Sequence, residues 1–482
     1  MQGDSLSPLL YVLTLEPLLE KIRQDKRIAG IKIPGEGGND QKLKAFADDT
    51  NFFITQIKSI GIIQEHFRHF GKGSGSSINE TKSQALKIGK WKSKANDPFR
   101  IQWVNEIKIF GITYSNTRDQ SNREQWEQIK TKTKQMLDFL FYKETSIFGR
   151  SILVNTLIFP KIIYYTQTLD APTDIIKQIN GYIRQFIFKG TISNISHSTH
   201  LRNKLTGGIN LQDIESKSKT FRLQYIRKII ENRELFTLAH YYIGTKLTKL
   251  TKLDNSKPHY TDTLPSFYET CIRTLKTHEN ILLTNRLSTT KTIYQAIIGT
   301  LAKPLHTQIQ RATQYGITDF RPTFKNLHIT CTTAIQKQIT YRILFSNTPT
   351  SLGHARQINR VIPCTICRYN IQETEEHIYY QCANMQLTKQ SLTKLLTPNH
   401  NTPLDTYKAI FLNIIPNDTC DFHLIKLHVL AIYRETIWKI RLDTKFNDKR
   451  HTPQTIHDLF TYKLIHALTK QNQWQTFEQM LE

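Results

Sequence analysis

The chain has 482 residues, of which 39% are hydrophobic, so it is long and apolar enough to form roughly two to four domains with at least one sizeable core. Its 65 Lys and Arg residues outnumber its 40 Asp and Glu residues, which gives a formal net charge of +25 at pH 7. This composition excludes a small disulfide-stapled peptide, and the basic excess is typical of a protein with a polyanionic partner.

The sequence contains no run of about 20 apolar residues, the length that a membrane-spanning helix needs. Its most apolar segment, LLYVLTLEPLLEKI, is interrupted by Glu16 and Pro17. Met1 leads directly into a Gln-Gly-Asp turn, in place of the charged and apolar regions of a secretory signal. An anionic membrane surface would also match the positive charge, but these features favour an intracellular protein with no membrane partner.

The first element, in the stretch QGDSLSPLLYVLTLEPLLEKI, is predicted to be a turn followed by a helix. Ser7 is a good N-cap residue, and Pro8 suits the first helical position. The apolar residues of this helix cover nearly its whole circumference, so we expect the helix to be buried. Gln2 and Gly3 lie on the turn before it, where a glycine lets the backbone approach a ligand closely.

The next motif, KAFADDTNFF, predicts a β-hairpin with Asp48 and Asp49 at or near its tip. Adjacent carboxylates repel each other unless a cation holds both of them ionised, and carboxylate oxygens are ligands that Mg²⁺ prefers. In a two-metal site, ions about 3.5–4 Å apart hold the attacking and leaving oxygens of a phosphoryl transfer. The alternative is a solvated turn that binds nothing.

Two further motifs follow in the same region. Asn79 and Lys82 lie in SGSSINETKS, a loop rich in Gly and Ser, where the alternative to a functional lysine is an ordinary surface lysine. The stretch IKIFGITYS, from Ile107 to Ser115, predicts a hairpin that contains Gly111, and the alternative to a functional role is an ordinary core hairpin.

Beyond residue 116 the pattern becomes mainly helical, most clearly in SIFGRSILVNTLIFPKIIYYTQTL. A GGINLQDI turn then begins a helical region rich in Lys and Thr. We place domain boundaries near residues 115, 200 and 350.

Near the C-terminus, PCTICRYNIQETEEHIYYQC contains Cys364, Cys367, His377 and Cys382 in a C-x2-C-x9-H-x4-C pattern. Two thiolates two residues apart form a tight knuckle, and a histidine and a third thiolate complete a tetrahedral Zn²⁺ site. We expect this zinc to be structural, because all four ligands come from the protein. The alternative is a fortuitous grouping of reduced thiols with a surface histidine. The scattered cysteines are expected to be small buried hydrophobes: Cys271, Cys331 and Cys420.

The stretch IYRETIWKIRLDTKF places Tyr433, Arg434, Ile437, Trp438 and Arg441 at helical spacing. Arginine and tryptophan on one helix could stack on bases or pair with phosphates. The sequence favours the alternative, an amphipathic helix that packs its tryptophan against the zinc module.

In their order and spacing, these motifs resemble reverse transcriptases of the non-LTR retrotransposon (LINE-like) class. QGDSLSPLL is similar to the fifth block of that family, and FADD is similar to the catalytic hairpin of its palm. INETKS is similar to the next block, and IKIFGITYS to the primer-grip hairpin.

The resemblance implies that Asp48 and Asp49 bind catalytic Mg²⁺ and that Lys82 helps to protonate the pyrophosphate leaving group. It also implies contacts with the nucleotide, template or primer at four positions: Gln2, Gly3, Asn79 and Gly111. The implied partners are an RNA template and a DNA target or primer, with a deoxynucleoside triphosphate as substrate if the full palm is present. The implied location is the nucleus.

Further along the chain, TSIFGRSILVNTLIFPKIIYY resembles the thumb helices of this family, and the cysteine cluster resembles its C-terminal zinc-binding segment. We therefore expect an α+β fold that begins with a partial right-hand polymerase palm of antiparallel hairpins and helices. The expected order is a palm over 1–115, thumb-like helices over 116–200, a helical basic connector over 201–350, and a zinc knuckle with C-terminal helices over 351–482.

The family also needs a third catalytic carboxylate and basic fingers, both on segments that precede the Gln-Gly turn. We therefore expect this chain to be the C-terminal portion of a longer reverse transcriptase and to polymerise little or nothing by itself. The alternative is a non-catalytic RNA- or DNA-binding protein derived from such an element.

Overall fold

The computed structural model describes most of the chain. The described ranges are 4–33, 40–47, 49–92, 101–115, 118–190, 195–232, 234–251, 264–283, 289–305, 309–352, 360–397, 405–416 and 419–481. Within them the chain forms two compact units, one over Met1–Thr131, Tyr164–Ile175 and Lys217–Tyr294, the other over Lys132–Ile163, Ile176–Ser216 and Gln295–Glu482. The four-part division drawn from the sequence stays a prediction.

The strands of the described residues are short and pair in two-stranded sheets near the N-terminus. They are β1 (Ile31–Lys32), β2 (Asp40–Gln41), β3 (Leu43–Phe46), β4 (Asp49–Phe52), β5 (Gln84–Leu86), β6 (Gln102–Val104), β7 (Glu106–Ile109) and β8 (Ile112–Ser115). The pairs β1–β2, β3–β4 and β7–β8 are antiparallel, and β5–β6 is parallel. The structure thus contains the predicted antiparallel hairpins, together with a parallel pair that the sequence did not predict.

Helices make up most of the remaining described residues. Up to residue 251 they are α1 (Ser7–Gln24), α2 (Lys58–Ser74), α3 (Arg118–Phe141), α4 (Ile147–Leu153), α5 (Phe159–Thr166), α6 (Thr173–Ile187), α7 (His197–Leu201), α8 (Ile214–Glu231) and α9 (Thr237–Thr251). Further on they are α10 (Ser266–Leu283), α11 (Thr290–Leu301), α12 (Gln310–Gln314), α13 (Arg321–Leu327), α14 (Ala334–Leu344), α15 (Gln386–Leu396), α16 (Thr406–Leu412), α17 (Cys420–Asn447), α18 (Pro453–Lys470) and α19 (Trp474–Leu481).

Helix α1 differs from its prediction in two ways. It begins at Ser7, and Leu6 is the N-cap residue, with its backbone N–H donating to the Asp4 carboxylate at 3.0 Å. The helix is also only half buried. Its second half contributes Leu15, Leu18, Leu19 and Ile22 to the core of the first unit. The first half instead exposes a row of large apolar side chains: Leu9, Leu10, Tyr11, Val12 and Leu13. An all-round apolar helix was expected to be covered on every side, and this half is not covered by the described residues.

The segment from Ile147 to Thr166 is a continuous helical stretch long and apolar enough to cross a membrane by length and composition. However, 44% of it is buried inside the protein, as in a core helix. It also carries a buried cation, since Arg150 donates from Nε to the Ile187 carbonyl at 2.7 Å. Core helices pass the same test of length and composition, so the absence of a membrane partner stays a prediction.

The GGINLQDI turn depends on a close backbone approach at Gly208. A Cβ added there would lie 1.9 Å from the Arg202 carbonyl oxygen, which is a backbone atom that cannot rotate away. We expect Gly208→Ala to lower the free energy of unfolding by about 1–3 kcal/mol or more, because the turn must open to relieve the overlap. Urea denaturation of the full chain measures this change.

Gly181 supplies the matched control, because it lies in α6 of the same unit and a Cβ added there meets no atom within 4 Å. Gly181→Ala is expected to stabilise the protein by about 0.5–1 kcal/mol through helix propensity. Equal effects of the two substitutions would contradict the close approach at Gly208.

Candidate active site and metal centre

Asp49 lies at the tip of an exposed hairpin formed by β3 and β4. The register sets Phe46 opposite Asp49 and Lys44 opposite Asn51. Since directly opposed residues share one face of an antiparallel pair, these side chains lie on the same face. This is the outer face, because Phe46 is 69% exposed whereas Leu43, on the other face, is 2% exposed. A carboxylate so placed is accessible to a metal ion and to a large substrate.

Three residues that the sequence assigned to the same site lie outside the described residues: Gln2, Gly3 and Asp48. Their roles therefore stay predictions.

A second hairpin contacts the first at its tip. The turn between β7 and β8 consists of Phe110 and Gly111, with φ angles of 48° and 79°. Two positive φ values are typical of the type I′ turn that joins two strands, and they explain why a glycine occupies position 111. The ring of Phe110 contacts that of Phe46 edge to face, with 5.5 Å between ring centroids. The structure thus brings the predicted catalytic hairpin and the predicted primer-grip hairpin together.

Tyr164 fixes the Phe110–Gly111 turn from outside the hairpin. Its hydroxyl donates a hydrogen bond to the Phe110 carbonyl, and its ring lies 3.7 Å from the position that a Cβ on Gly111 would occupy. The sequence analysis missed Tyr164. The only available signal was its place on a helix with an apolar stripe, and this does not distinguish a buried side chain from one that supports a turn.

Asn79 organises the loop that presents Lys82. The Asn79 side-chain oxygen accepts hydrogen bonds from the Thr81 hydroxyl at 2.7 Å and from the Lys82 backbone N–H at 3.2 Å. The backbone N–H groups of Lys82 and Ser83 also donate to the Asn79 carbonyl, at 3.2 Å and 3.0 Å, so side chain and backbone close this turn together. Lys82 and Asp49 are both exposed, and among the described residues no hydrogen bond or ion pair joins them. The structure therefore gives Asn79 a local role besides the predicted contact with substrate.

The four predicted zinc ligands, by contrast, lie close together in the structure. The ligand atoms of Cys364, Cys367, His377 and Cys382 all lie within 4.8 Å of one another. Cys367 Sγ is 3.4 Å from His377 Nε2, which is close to the roughly 3.5 Å edge of a tetrahedron built on Zn–S of about 2.3 Å and Zn–N of about 2.0–2.1 Å. Three sulfurs and one imidazole match the ligand preference of Zn²⁺. The residues present therefore fit this ion.

Two local backbone structures bring these ligands close to one another. The Cys364 carbonyl accepts from the Arg368 N–H at 2.9 Å, which closes the knuckle between the first two cysteines, and Arg368 takes a φ of 60° to complete it. The segment His377–Gln381 forms a single wide turn of π-helix that begins at His377 and is capped by Cys382, whose backbone N–H donates to the His377 carbonyl at 2.7 Å. π-Helical turns are rare and are often found at functional sites.

The thiols of Cys364 and Cys382 interact with each other. A hydrogen bond from Cys382 lowers the pKa of Cys364 to about 5, while the same bond and burial raise the pKa of Cys382. A lowered pKa favours the thiolate, which is the form of cysteine that binds zinc.

A buried ion pair supports the cluster from α17. Arg441 donates from Nε and Nη2 to Glu373 Oε1, at 3.0 Å and 2.6 Å, and both side chains are almost fully buried. The Thr365 and Ser351 hydroxyls donate to the same carboxylate at 2.9 Å each. Burial alone would raise the pKa of Glu373, but the hydrogen bonds and charge of Arg441 outweigh it and lower the pKa to about 2.

Trp438 and Arg434 also make contacts inside the protein. Trp438 packs against the core that contains Cys364 and Cys382, as the favoured interpretation of the helix predicted. Arg434 is buried and donates to the carbonyls of Ala409 and Ile410 in α16, at 2.7 Å and 3.0 Å. Burial lowers its pKa to about 9. Arg434 is thus committed to backbone contacts within the protein, whereas Trp438 is half-buried.

The three remaining cysteines divide into two kinds. Cys271 and Cys331 are buried, as predicted, and burial raises the pKa of both thiols. Cys420 is exposed at the first turn of α17, so the prediction of a buried hydrophobe was wrong for this residue. It lies at a helix end, where one side of the residue faces solvent.

Comparison with known proteins supports the assignment of the N-terminal region. A family model described as reverse transcriptase (RNA-dependent DNA polymerase) matches residues 1–114. A curated relative, the transposon TX1 uncharacterized 149 kDa protein of Xenopus laevis, is 30% identical over 237 residues, which cover 48% of this chain and 18% of the relative. The chain thus spans less than a fifth of the length of the relative that it matches.

Residues 1–114 match the reverse transcriptase family, and the exposed hairpins described above lie within the matched range. The two similarities together support the resemblance, drawn from the order of the sequence motifs, to a reverse transcriptase of the non-LTR retrotransposon class.

Proposed function

We propose that this chain contributes the metal-binding hairpin and the primer contact of an RNA-directed DNA polymerase that acts by two-metal nucleotidyl transfer. The observation that carries the proposal is the exposed carboxylate of Asp49 on the outer face of a hairpin, inside the range matched by the reverse transcriptase family. Mg²⁺ held by Asp48 and Asp49 would stabilise the charge on the attacking and leaving oxygens.

The protein side chains have separate tasks in this reaction. Asp48 and Asp49 hold the metal ions, and Lys82 donates a proton to the pyrophosphate that leaves. The template and the incoming deoxynucleoside triphosphate lie against Gln2, Gly3 and Asn79. The DNA primer lies along the Phe110–Gly111 turn, whose backbone is fixed by the hydroxyl of Tyr164.

A polypeptide of residues 1–482 is expected to extend a primer little or not at all by itself, because the family needs a third catalytic carboxylate and the motifs within these residues supply only Asp48 and Asp49. The test is primer extension on an RNA template with Mg²⁺. Extension by the purified chain that disappears in the double variant Asp48→Ala, Asp49→Ala would overturn this expectation. Asp458→Ala, which removes an exposed carboxylate on α18, is the matched control.

The same chain is expected to bind nucleic acid mainly through phosphates, because its net charge is +25. The logarithm of the binding constant should then fall by several units for each tenfold increase in salt concentration. Fluorescence anisotropy with labelled RNA and DNA from low to physiological salt measures this slope. A flat salt dependence would count against both the polymerase and the alternative, a non-catalytic binding protein derived from such an element.

We also propose that Cys364, Cys367, His377 and Cys382 hold one structural Zn²⁺. When bound, the ion would join the knuckle to the π-helical turn and so hold the surrounding segments together. Metal analysis of the purified chain should find one zinc per chain.

A further inference from the structure

A cavity of about 330 Å³ opens at the surface of the second unit, between the loop after α7 and the start of α13. Its volume lies at the small end of the range of ligand-binding pockets, which is about 300–1,000 Å³. The residues that line it fall in the ranges 202–206, 304–305 and 318–321. These ranges lie outside residues 1–114, so the match to the reverse transcriptase family assigns no role to them.

The apolar part of the lining is mostly aliphatic. Leu305 and Phe320 are each 8% exposed and so lie deepest, whereas the exposed residues Leu205 and Pro304 form the rim. Because so little of the Phe320 ring is accessible, the cavity offers no free aromatic face on which a base could stack. An aliphatic wall of this kind suits an apolar side chain, as in the pockets that hold anchor residues at protein interfaces.

Arg202 supplies the cavity with a cation that is only partly used. Its Nη2 donates to the Lys303 carbonyl, and among the described residues its guanidinium makes no other hydrogen bond. Its Nε is buried without a partner there. Arginine has five N–H donors, so most of the hydrogen-bonding capacity of this group is left for a ligand. A carboxylate matches it, because an arginine can hold a carboxylate with two parallel hydrogen bonds.

The other polar residues of the lining leave an anion to Arg202. Arg321 is already paired with Asp319, at 3.0 Å from Nε to Oδ1 and 2.8 Å from Nη2 to Oδ2. The Thr318 side chain is exposed and has no hydrogen-bond partner in the part of the chain that the structure describes. The cavity thus combines one incompletely bonded guanidinium and a hydroxyl with an apolar wall.

Three lysines lie around the cavity: Lys204, Lys303 and Lys325. The first two are next to lining residues in the chain, and Lys325 lies about one turn beyond Arg321 on α13. Within the described ranges none of the three forms an ion pair with a carboxylate. A peptide that extends from the cavity would therefore meet a positive surface, which an acidic segment complements.

We propose that this cavity binds a short acidic peptide of a partner protein, with an apolar side chain between Leu205, Leu305 and Phe320 and an adjacent carboxylate on Arg202. A peptide fits better than a free small molecule, because ligand pockets bury about 70–90% of a small ligand and the exposed rim here would leave much of it in water. A peptide also fits better than a nucleic acid, because the cavity has no open ring face. This interaction goes beyond the proposed function and uses none of its residues.

The test uses the full chain and a short fluorescein-labelled peptide in which one leucine precedes two glutamates in a background of serine and glycine. Fluorescence anisotropy measures its binding. Replacement of the leucine by serine keeps the charge and should weaken binding about tenfold or more, as expected for the loss of one buried leucine. A photoreactive diazirine analogue of the leucine should give cross-links, found by mass spectrometry, in 202–206, 304–305 or 318–321.

Variants of the protein test the two contacts separately. Arg202→Met should weaken binding about tenfold or more, the loss expected for a charge-assisted hydrogen bond. Arg450→Met removes an exposed arginine elsewhere in the same unit and should have little effect. Leu205→Ser changes a side chain that is 56% exposed, so the variant should fold normally and bind about threefold or more weakly. Its control is Leu157→Ser, at a position 42% exposed in the same unit, which should bind as the parent does.

The outcomes separate this inference from its alternatives. Equal binding of the leucine and serine peptides, or cross-links only outside the three ranges, would show a general attraction to a basic protein and overturn the inference. A single-stranded RNA that displaces the peptide, and whose own binding falls as much in Arg202→Met, would assign the cavity to nucleic acid and also overturn it. Steep salt dependence of RNA binding without any peptide binding would overturn the inference and leave the proposed function standing.

Discussion

Replacement of Cys382 by serine is expected to abolish Zn²⁺ binding and to unfold the segments around the cluster. Cys382 is fully buried and belongs to the core of the second unit, so the metal would be bound inside that core. Structural zinc contributes on the order of 10 kcal/mol of apparent binding free energy in zinc-finger peptides. A loss of this size is comparable with the whole free energy of unfolding of a domain, which is about 5–15 kcal/mol.

Zinc content and thermal unfolding together measure this effect. The variant should hold no zinc, its thermal midpoint should be many degrees below that of the parent chain, and a chelator should lower the midpoint of the parent but not of the variant. Cys420→Ser is the matched control, because this exposed thiol lies outside the cluster and should change neither property. A parent chain with no zinc and an unchanged midpoint on chelation would contradict the structural zinc.

Arg441→Met is expected to lower the free energy of unfolding by about 3–5 kcal/mol, because it leaves the Glu373 carboxylate buried without its cation. The variant Glu373→Gln, Arg441→Met removes both charges and should recover part of this loss. Urea denaturation of the three proteins measures the difference. Arg321→Met breaks an exposed ion pair with Asp319, of the kind that contributes little, and should change stability only slightly. Similar effects of Arg441→Met and Arg321→Met would contradict the proposed cost of the buried charge.

The same pair predicts a pH dependence. Since the pKa of Glu373 is lowered from 4.5 to about 2 in the folded protein, its contribution to stability is fully present above about pH 4.5. This contribution is lost as the pH falls from about 4.5 through 2, where the folded-state carboxylate becomes protonated. Stability measured over this range should decline more steeply in the parent chain than in the Glu373→Gln, Arg441→Met variant. Identical slopes would show that another group controls the decline.

Some features follow from the sequence because they are local. The β3–β4 hairpin is encoded by β-prone residues on both sides of a short turn, and the β7–β8 hairpin by a glycine at the position that needs a positive φ. The metal cluster is encoded by cysteine spacing, because a C-x2-C pair can close a knuckle without help from the rest of the chain. For these elements, short-range geometry leaves few alternatives.

Other features depend on contacts that are distant in sequence. Arg441 pairs with Glu373 across 68 residues, and Tyr164 supports Phe110 across 54. An arginine on an amphipathic helix has the same local pattern whether it meets a phosphate, a carboxylate or water, so the sequence left its role open.

The sequence by itself therefore determined the residues on which the proposed chemistry rests: the paired aspartates, the cysteine-histidine cluster and the order of motifs that resembles a reverse transcriptase. The tertiary structure alone decided which side chains are covered. It exposed the first half of α1, buried Arg434 and Arg441, and left Phe446 in solvent. The physical reason is that burial depends on the surfaces that surround a residue, and distant parts of the chain supply these surfaces only after folding.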